Sequence, residues 1–209
     1  MKYDLSVKIQ ENTYVVHVEI KRMKNLSIRF VNNEFFVHTS RFTTKTYIKD
    51  CVISSGPRLI KKSNRKKYFN DNSVFILGEE QILPVITIEN ITFAAYSEEQ
   101  FYEKVKPFFL QYVTNKIAYY EGIMGIPIKH SVSVSKLKSI YGSNNFVKNK
   151  IHLSTTLIHY SYPIIDSVIV HELSHYFVHN HSKDFYAVVN NYCHDYDFYR
   201  KKMKKGEFK

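Results

Sequence analysis

The segment His171-Glu172-Leu173-Ser174-His175 combines two histidines and a glutamate at a spacing that suits metal chemistry. Four residues make about one turn of an α-helix, so both imidazoles project from one face and can bind one Zn²⁺. Glu172 lies beside the first histidine, where its carboxylate can accept a proton from a metal-bound water. The resulting hydroxide would attack a carbonyl group, and Glu172 would pass the proton to the leaving amine. The pattern therefore predicts a zinc-dependent hydrolase acting on protein or peptide substrates.

The residues before this motif favour a buried helix. Ile164, Ile165, Val168 and Ile169 are apolar at helical spacing and would anchor the helix in a core. Histidines and a glutamate on a buried helix need a compensating partner, which a metal ion supplies. The alternative is an ordinary helix whose histidines are paired with other polar groups.

A catalytic zinc site commonly has three protein ligands, and the third has three candidates here, His179, His181 and His194. His179 would continue the same helix, and three ligands along one straight helix do not converge on a tetrahedral ion. His181 follows Asn180, a residue that often ends helices, and precedes Ser182, a good N-cap. The chain can turn there and bring His181 back to the first two ligands. We predict His181 as the third ligand, with His194 in reserve.

From Ile165 to Phe185 the chain resembles the YgjP-like metallopeptidase family, which is similar to SprT-like and other zincin-type zinc proteins. The resemblance rests on the His-Glu-Leu-Ser-His run and on the turn at Asn180-His181-Ser182. It implies that the three histidines at 171, 175 and 181 are zinc ligands and that Glu172 is the catalytic base.

The same resemblance implies a strand-rich N-terminal part, a long central helix and a Trp-Gly-Ser-Cys loop before the metal helix. This chain has Tyr141-Gly142-Ser143-Asn144 at the corresponding place. The Gly-Ser pair matches the family pattern, whereas the Trp and the Cys do not.

The hydrophobic pattern predicts an α+β fold. Alternating residues predict strands over the first forty positions and again from Val74 to Tyr96, and a small sheet over 128–160. Turns are expected at Asn32-Asn33, Gly78-Glu79 and Glu89-Asn90. We expect a β-rich N-terminal lobe over 1–96 and a zincin-like metallopeptidase domain over 97–209, or the two joined as one compact unit.

Helical patterns complete this layout. Gly56-Pro57 should divide the segment after Thr43 into two short helices, with the glycine as a stop and the proline as a start. A long helix is predicted from Glu98 to Met124, with one buried face of aromatic and branched residues. Pro163 should open the metal-binding helix, which would run to about His179. Ser182 should cap a last helix, followed by a basic tail at 200–205.

Other polar residues near the motif are weaker candidates. An oxyanion donor would assist peptide hydrolysis, and four tyrosines are close in sequence: Tyr176, Tyr186, Tyr192 and Tyr196. Asp166 points to another side of the helix and is expected to act as a first-turn charge. Asp184 and Asp195 could orient a ligand imidazole, but we expect both to be exposed carboxylates on the surface.

The charge balance favours an acidic partner. The chain has 30 Lys and Arg against 19 Asp and Glu, a formal net charge of +11. The basic clusters at 58–67 and 200–205 suggest an alternative function, a DNA-associated, SprT-like protease tethered by these residues. A further alternative is a zinc-stabilised, non-catalytic interaction module, in which Glu172 would be dispensable.

The remaining features bear on location. Cys51 and Cys193 are far apart and form no disulfide framework, which favours a reducing compartment. The first residues lack the apolar run of a signal peptide, and no window approaches ~18 unbroken apolar residues. We therefore predict a cytoplasmic protein with no membrane span.

Overall fold

The computed structural model describes residues 1–63, 67–137 and 139–209. The chain forms two compact units, Met1–Arg65 and Lys66–Lys209. Helices and small sheets both occur within the described ranges, so the predicted α+β class is confirmed. None of the helices in these ranges is both long enough and apolar enough to cross a membrane.

The first unit is a four-stranded sheet with one helix. Its elements are β1 (Lys2–Ile9), β2 (Asn12–Ile20), β3 (Ser27–Val31), β4 (Glu34–Thr39) and α1 (Lys45–Ser63). The strand order is β1-β2-β4-β3, with β2 and β4 parallel and the other pairs antiparallel. Strand alternation puts one row of side chains inward, where it packs with apolar residues of α1. The core of this unit consists of Val7, Ile9, Tyr14, Val16, Val18, Phe35, Val37, Ile48 and Val52.

The turn predicted at Asn32-Asn33 is confirmed, because these two residues join β3 to β4. Both have positive φ, 49° and 66°, as a tight hairpin turn with two left-handed residues requires. Asparagine adopts this conformation more readily than most other residues, since its short polar side chain can bond locally.

The predicted break at Gly56-Pro57 is wrong, since α1 continues through both residues. Gly56 is a packing residue: an ideal Cβ there would lie 2.3 Å from Ile9 Cδ1 and 3.2 Å from Phe35 Cζ. The exposed Pro57 removes only one backbone donor from the helix. Close helix–sheet packing therefore outweighs the local breaking tendency of the pair.

The second unit contains the remaining elements. Its strands are β5 (Ser73–Ile76), β6 (Glu79–Ile82), β7 (Val85–Ile88), β8 (Ile91–Ala94), β9 (Ser131–Ser135), β10 (Gly142–Asn145) and β11 (Lys150–Ser154). Its α-helices are α2 (Glu98–Met124), α3 (Tyr162–Ser174), α4 (Lys183–Tyr192) and α5 (Tyr196–Lys205). Strands β5–β8 form two hairpins, and β10-β11-β9 form a sheet in which β10 is an edge strand.

This division differs from the boundary expected at 96/97. Residues of β5 and β7, such as Val74, Ile76 and Ile86, belong to the same apolar core as α2 and α3. Strand content alone does not indicate which core a strand joins, so the sequence pattern assigned these hairpins to the N-terminal lobe.

Helix α2 has the predicted bounds, Glu98–Met124. The Ser97 side chain accepts a hydrogen bond from the Gln100 N–H and caps the first turn. Gly125 ends the helix in the left-handed conformation with φ 67°. The face predicted to be buried packs inward through Phe101, Val105, Phe109, Val113 and Ile117.

Two helix predictions near the C-terminus need correction. Helix α3 ends at Ser174 and not near His179, because the Tyr176 and Phe177 N–H groups bond three residues back, to Leu173 and Ser174. The basic run at 200–205 is not a tail but lies in α5, whose end is capped by Gly206 at φ 74°.

The basic cluster predicted at 58–67 is only partly within the described residues. Arg58 and Lys61 are exposed on α1, and Lys67 is exposed after it. Arg65 and Lys66, and the side chain of Lys62, lie outside the described residues.

His159 is a buried histidine in the core of the second unit, at the end of a 3₁₀ turn over Thr155–His159. Its Nδ1–H donates to the Phe75 carbonyl at 2.6 Å, and its Nε2 accepts from the Tyr102 hydroxyl at 2.7 Å. Its ring stacks on Tyr68 at 4.3 Å. Burial lowers the pKa of His159 to about 4, because the imidazolium would lose its hydration.

His159 should therefore destabilise the folded protein as the pH falls from 7 to 5. The unfolded chain binds a proton at His159 near pH 6.5 and the folded chain does not, so acid favours unfolding. We expect His159→Gln to reduce the pH 7 to pH 5 change in unfolding free energy by about 2 kcal/mol. Urea unfolding at both pH values measures this change, with the exposed His194→Gln as control. Equal pH dependence in the two variants would contradict the assignment.

Candidate metal centre

Three histidines from α3 and the loop after it meet in one place. One ring nitrogen from each of His171, His175 and His181 lies within 4.8 Å of the other two. The Nε2 atoms of His171 and His181 are 3.1 Å apart. Within the described ranges this is the one group of three or more His, Cys, Asp or Glu side chains so arranged. The structure thus brings together the residues that the spacing singled out.

Hydrogen bonds to Nδ1 orient two of the three rings. The Nδ1 of His175 lies 3.2 Å from the Val178 carbonyl, which can only accept, so this nitrogen carries the proton. The Nδ1 of His171 lies 2.7 Å from the Tyr196 hydroxyl. Both bonds leave Nε2 free to face the centre of the cluster, as in metal sites whose ligand histidines are held from behind.

An apolar side chain from α4 supports the three rings. Phe185 is fully buried, and its ring centroid lies 4.9 Å from His171, 4.5 Å from His175 and 4.8 Å from His181. These contacts fix ring positions by packing and keep water from one side of the cluster.

Local chemistry explains why the chain turns back at His181. The Asn180 Oδ1 accepts from the Ser182 N–H at 3.2 Å, which forms a tight side-chain turn. The predicted N-cap is confirmed, because the Ser182 hydroxyl accepts from the Phe185 N–H at the start of α4. His181 is the residue between Asn180 and Ser182, so this turn sets the direction of its side chain.

The two rival histidines lie outside the cluster. His179 is exposed, bonds the His175 carbonyl at 2.9 Å and stacks on Phe146 at 4.2 Å. His194 is exposed in the connection between α4 and α5.

Glu172 is buried, with 5% of its surface exposed, and packs against the edge strand β10. An ideal Cβ at Gly142 would lie 2.6 Å from Glu172 Oε1 and 2.9 Å from Leu153 Cδ2. The carboxylate therefore needs a glycine at this position. Asn144, two residues along the same strand face, donates its Nδ2 to the Glu172 carbonyl at 2.7 Å.

The sequence signal for Gly142 and Asn144 was the partial match to the family's loop, but it did not indicate their contact with Glu172. Gly142 belongs to the matching Gly-Ser pair, and Asn144 occupies the place of the family's Cys. The Oδ1 of Asn144 is buried without a hydrogen-bond partner.

Burial also controls the charges in the site. It lowers the pKa of His171 to about 3, with smaller contributions from His175, His181 and Arg200. It lowers the pKa of His175 and raises that of Glu172 to about 8. In the ion-free protein the two imidazoles are thus neutral, which is the form that binds a metal. A divalent cation nearby would favour the Glu172 carboxylate.

The first-turn charge expected at Asp166 is wrong, because the first turn of α3 contains no acidic residue; Asp166 instead anchors α3 to α2. It accepts hydrogen bonds from Tyr112 at 3.1 Å, Lys116 at 3.1 Å and Tyr120 at 3.2 Å. All three donors project from one face of α2, so a single carboxylate fixes how α3 sits on that helix.

Of the other polar residues near the motif, two tyrosines lie close to the histidines and the remaining residues lie in the core or on the surface. Tyr196 bonds His171, and the Tyr186 ring lies 6.2 Å from the Tyr196 ring. Tyr176 and Tyr192 pack against the main core, and Asp184 and Asp195 are exposed, as expected for surface carboxylates.

A buried glutamate next to three converging imidazoles is an arrangement typical of metal-dependent hydrolases. Residues 24–206 match the YgjP-like metallopeptidase domain, so the chain belongs to this family, and the predicted resemblance is confirmed. The protein is accordingly a metallohydrolase of the peptidase kind, whose substrates are proteins or peptides.

Two solved structures are similar over part of the chain, and both are metallopeptidase zymogens. Jannalysin of Methanocaldococcus jannaschii is 18% identical, with a TM-score of 0.39 over 43% of this chain and 90% of its own. Abylysin of Pyrococcus abyssi is 18% identical, with a TM-score of 0.38 over 43% of this chain and 91% of its own. Comparison with curated proteins gives no match.

The close approach of Gly142 to Glu172 can be tested by adding one methyl group. Gly142→Ala should lower the unfolding free energy by ~1–3 kcal/mol, because overpacking forces the carboxylate or the strand to move. The matched control is Gly122→Ala in α2, where an added Cβ meets nothing within 4 Å. That change should be neutral or stabilise by up to ~1 kcal/mol. Urea unfolding measures both, and equal effects would contradict the argument.

Proposed function

We propose that this protein is a zinc peptidase in which His171, His175 and His181 bind the ion and Glu172 is the general base. The observation that carries the proposal is the convergence of three imidazole nitrogens within 4.8 Å of one another beside a buried carboxylate. Two of these histidines come from one helical turn, and the third comes from the loop after it.

The donor set fits zinc. Three neutral imidazoles are a common ligand set for catalytic zinc, and nitrogen donors suit zinc better than magnesium or calcium. Glu172 is not a member of the three-residue group, which supports a role as a base and not as a fourth ligand. A fourth position is then free for water or for substrate.

When bound, the ion would polarise the scissile carbonyl and make a coordinated water more acidic. The chain's own contribution begins with Glu172, whose carboxylate accepts a proton from the attacking water. The same carboxyl group then delivers the proton to the amide nitrogen that leaves. Gly142 leaves room for the carboxylate beside β10, and the Asn144 amide bonds the Glu172 backbone carbonyl and so ties α3 to this strand. Phe185 excludes water from the side of the rings that it covers.

Tyr196 is the orienting partner of His171 in this proposal. Its hydroxyl lies 2.7 Å from Nδ1 of His171, and with an ion on Nε2 it would accept the Nδ1–H and hold that tautomer. It was one of four tyrosines considered as oxyanion donors, and its bond to a ligand supports the orienting role instead.

Metal content tests the ligand set and the base separately. Wild type should hold about one zinc per chain, and His181→Ala should lose it because two imidazoles do not close the site. Glu172→Gln should keep zinc and lose ~10²–10⁴-fold in hydrolysis of an unfolded protein substrate. Elemental analysis and a fluorescent casein assay measure these changes.

The exposed His194→Ala is the control and should retain both metal and activity. Full activity in Glu172→Gln would contradict the catalytic assignment. If that variant also kept its stability only while zinc was bound, the site would be that of a zinc-stabilised interaction module.

Tyr196→Phe tests the orienting bond. Loss of the hydroxyl should weaken zinc binding ~10–100-fold, as removal of a histidine's outer partner typically does. Competition with a chromophoric chelator measures affinity, and the spectrum of the cobalt-substituted protein reports whether the coordination changes. Tyr192→Phe, which removes a hydroxyl that makes no bond to the three histidines, should bind zinc as wild type does. Equal affinities in both variants would refute the role of Tyr196.

A further inference from the structure

Most of the positive charge of the protein lies in its N-terminal unit. Residues Met1–Arg65 contain 13 Lys and Arg against 5 Asp and Glu, a formal charge of +8 out of +11 for the chain. The other 144 residues carry the remaining +3. Such a concentration in a small unit attracts polyanions from solution.

Three of the five acidic residues are already engaged on the outer face of the sheet. Asp4 and Glu34 both bond His17, at 2.8 Å and 3.1 Å. Glu19 pairs with Lys21 at 2.9 Å. These three carboxylates are therefore engaged on this face.

The topology gathers several cations at one end of the sheet. Strands β2 and β4 are parallel, and Ile20 pairs with Thr39 at their common end. The Lys21 N–H donates to the Thr39 carbonyl at 2.8 Å, which joins the β2–β3 connection to the β4–α1 connection. We call four exposed cations here the basic end: Arg22 and Lys24 of the β2–β3 connection, Arg41 of the β4–α1 connection, and Lys45, the first residue of α1. No carboxylate among the described residues forms an ion pair with any of them.

Exposed aromatic rings lie among these cations. Phe42 is 81% exposed, and the Arg41 guanidinium lies 4.8 Å above its ring centre. Tyr47, in the first turn of α1, is 57% exposed. Flat rings that remain open to solvent beside cations can stack with planar groups of a ligand.

An open groove of about 810 Å³ continues from the basic end along α1. Lys24, Leu26 and Ile28 line one wall, and Tyr47, Cys51 and Leu59 line the other. Asp50 is the single acidic residue of its lining. The groove thus has a lining of mixed polar and apolar side chains that includes one cation and one exposed aromatic ring.

We propose that the basic end and this groove bind single-stranded nucleic acid. The four cations would contact phosphates, and Phe42 and Tyr47 would stack on unpaired bases. A duplex would use the cations but keeps its bases stacked on each other, so the two exposed rings favour a single strand. This site does not depend on the metal centre, and it differs from the clusters at 58–67 and 200–205.

Fluorescence anisotropy on the full-length protein tests the proposal with labelled dT₂₀ and rU₂₀, and with a 20-base-pair duplex. We expect Kd values for a single strand below about 10 µM at 50 mM salt, and weaker binding of the duplex. The triple variant Arg22→Ala, Lys24→Ala, Arg41→Ala should bind at least tenfold more weakly, and its log–log salt slope should be smaller by about 2. Phe42→Ala should weaken binding about tenfold and leave the slope unchanged.

The matched control removes three exposed charges from α5, in Lys201→Ala, Lys204→Ala, Lys205→Ala. It should bind as wild type does, which separates the basic end from net charge. All substituted side chains are exposed, and thermal unfolding checks that each variant folds. The proposal is overturned if neither single strand binds, if the α5 variant shows the loss instead, or if Phe42→Ala has no effect. Binding only to vesicles with phosphatidylserine would equally overturn it.

Discussion

The second unit is organised around groups that are costly to remove from water. Three imidazoles and a carboxylate lie together: His171 and His175 are half-buried, His181 is exposed, and Glu172 is buried with no cationic side chain of the described residues paired with it. Burial suppresses charge on His171 and disfavours the ionised form of Glu172. Residues from the surrounding elements support this arrangement. The Tyr196 hydroxyl bonds the His171 ring, the Phe185 ring packs against all three histidines, and Gly142 leaves room for the carboxylate.

The features that could be predicted from the sequence are the local ones. The four-residue spacing of His171 and His175 follows from helical geometry, and the Asn180 and Ser182 turn follows from capping chemistry. The bounds of α2 were predictable because Ser97 and Gly125 are strong end signals around a periodic apolar face. In each case the deciding interactions lie within a few residues along the chain.

The features that the sequence did not indicate depend on contacts distant in sequence. Gly56 reads as a helix stop until Ile9 and Phe35 are placed against it. Hairpins β5–β8 could not be assigned to a unit without knowledge of the core that they join. Tyr196 was one of four similar tyrosines, and only the packing of α5 distinguishes it. The sequence pattern did not indicate the basic end, because its cations come from separate parts of the chain that only the sheet topology brings together.

The three clustered histidines come from eleven consecutive residues, His171 to His181. The entropy lost on closing a loop grows with its length, so gathering these rings requires little ordering of the rest of the chain. Gly142 and Tyr196, by contrast, reach the site from 30 residues before Glu172 and 25 residues after His171. In the proposed site one short segment therefore supplies the three ligands, whereas the groups that orient His171 and leave room for Glu172 are in place only in the completed tertiary structure. A partly folded chain would thus already carry the three proposed ligands on one short segment before the groups that position them are in place.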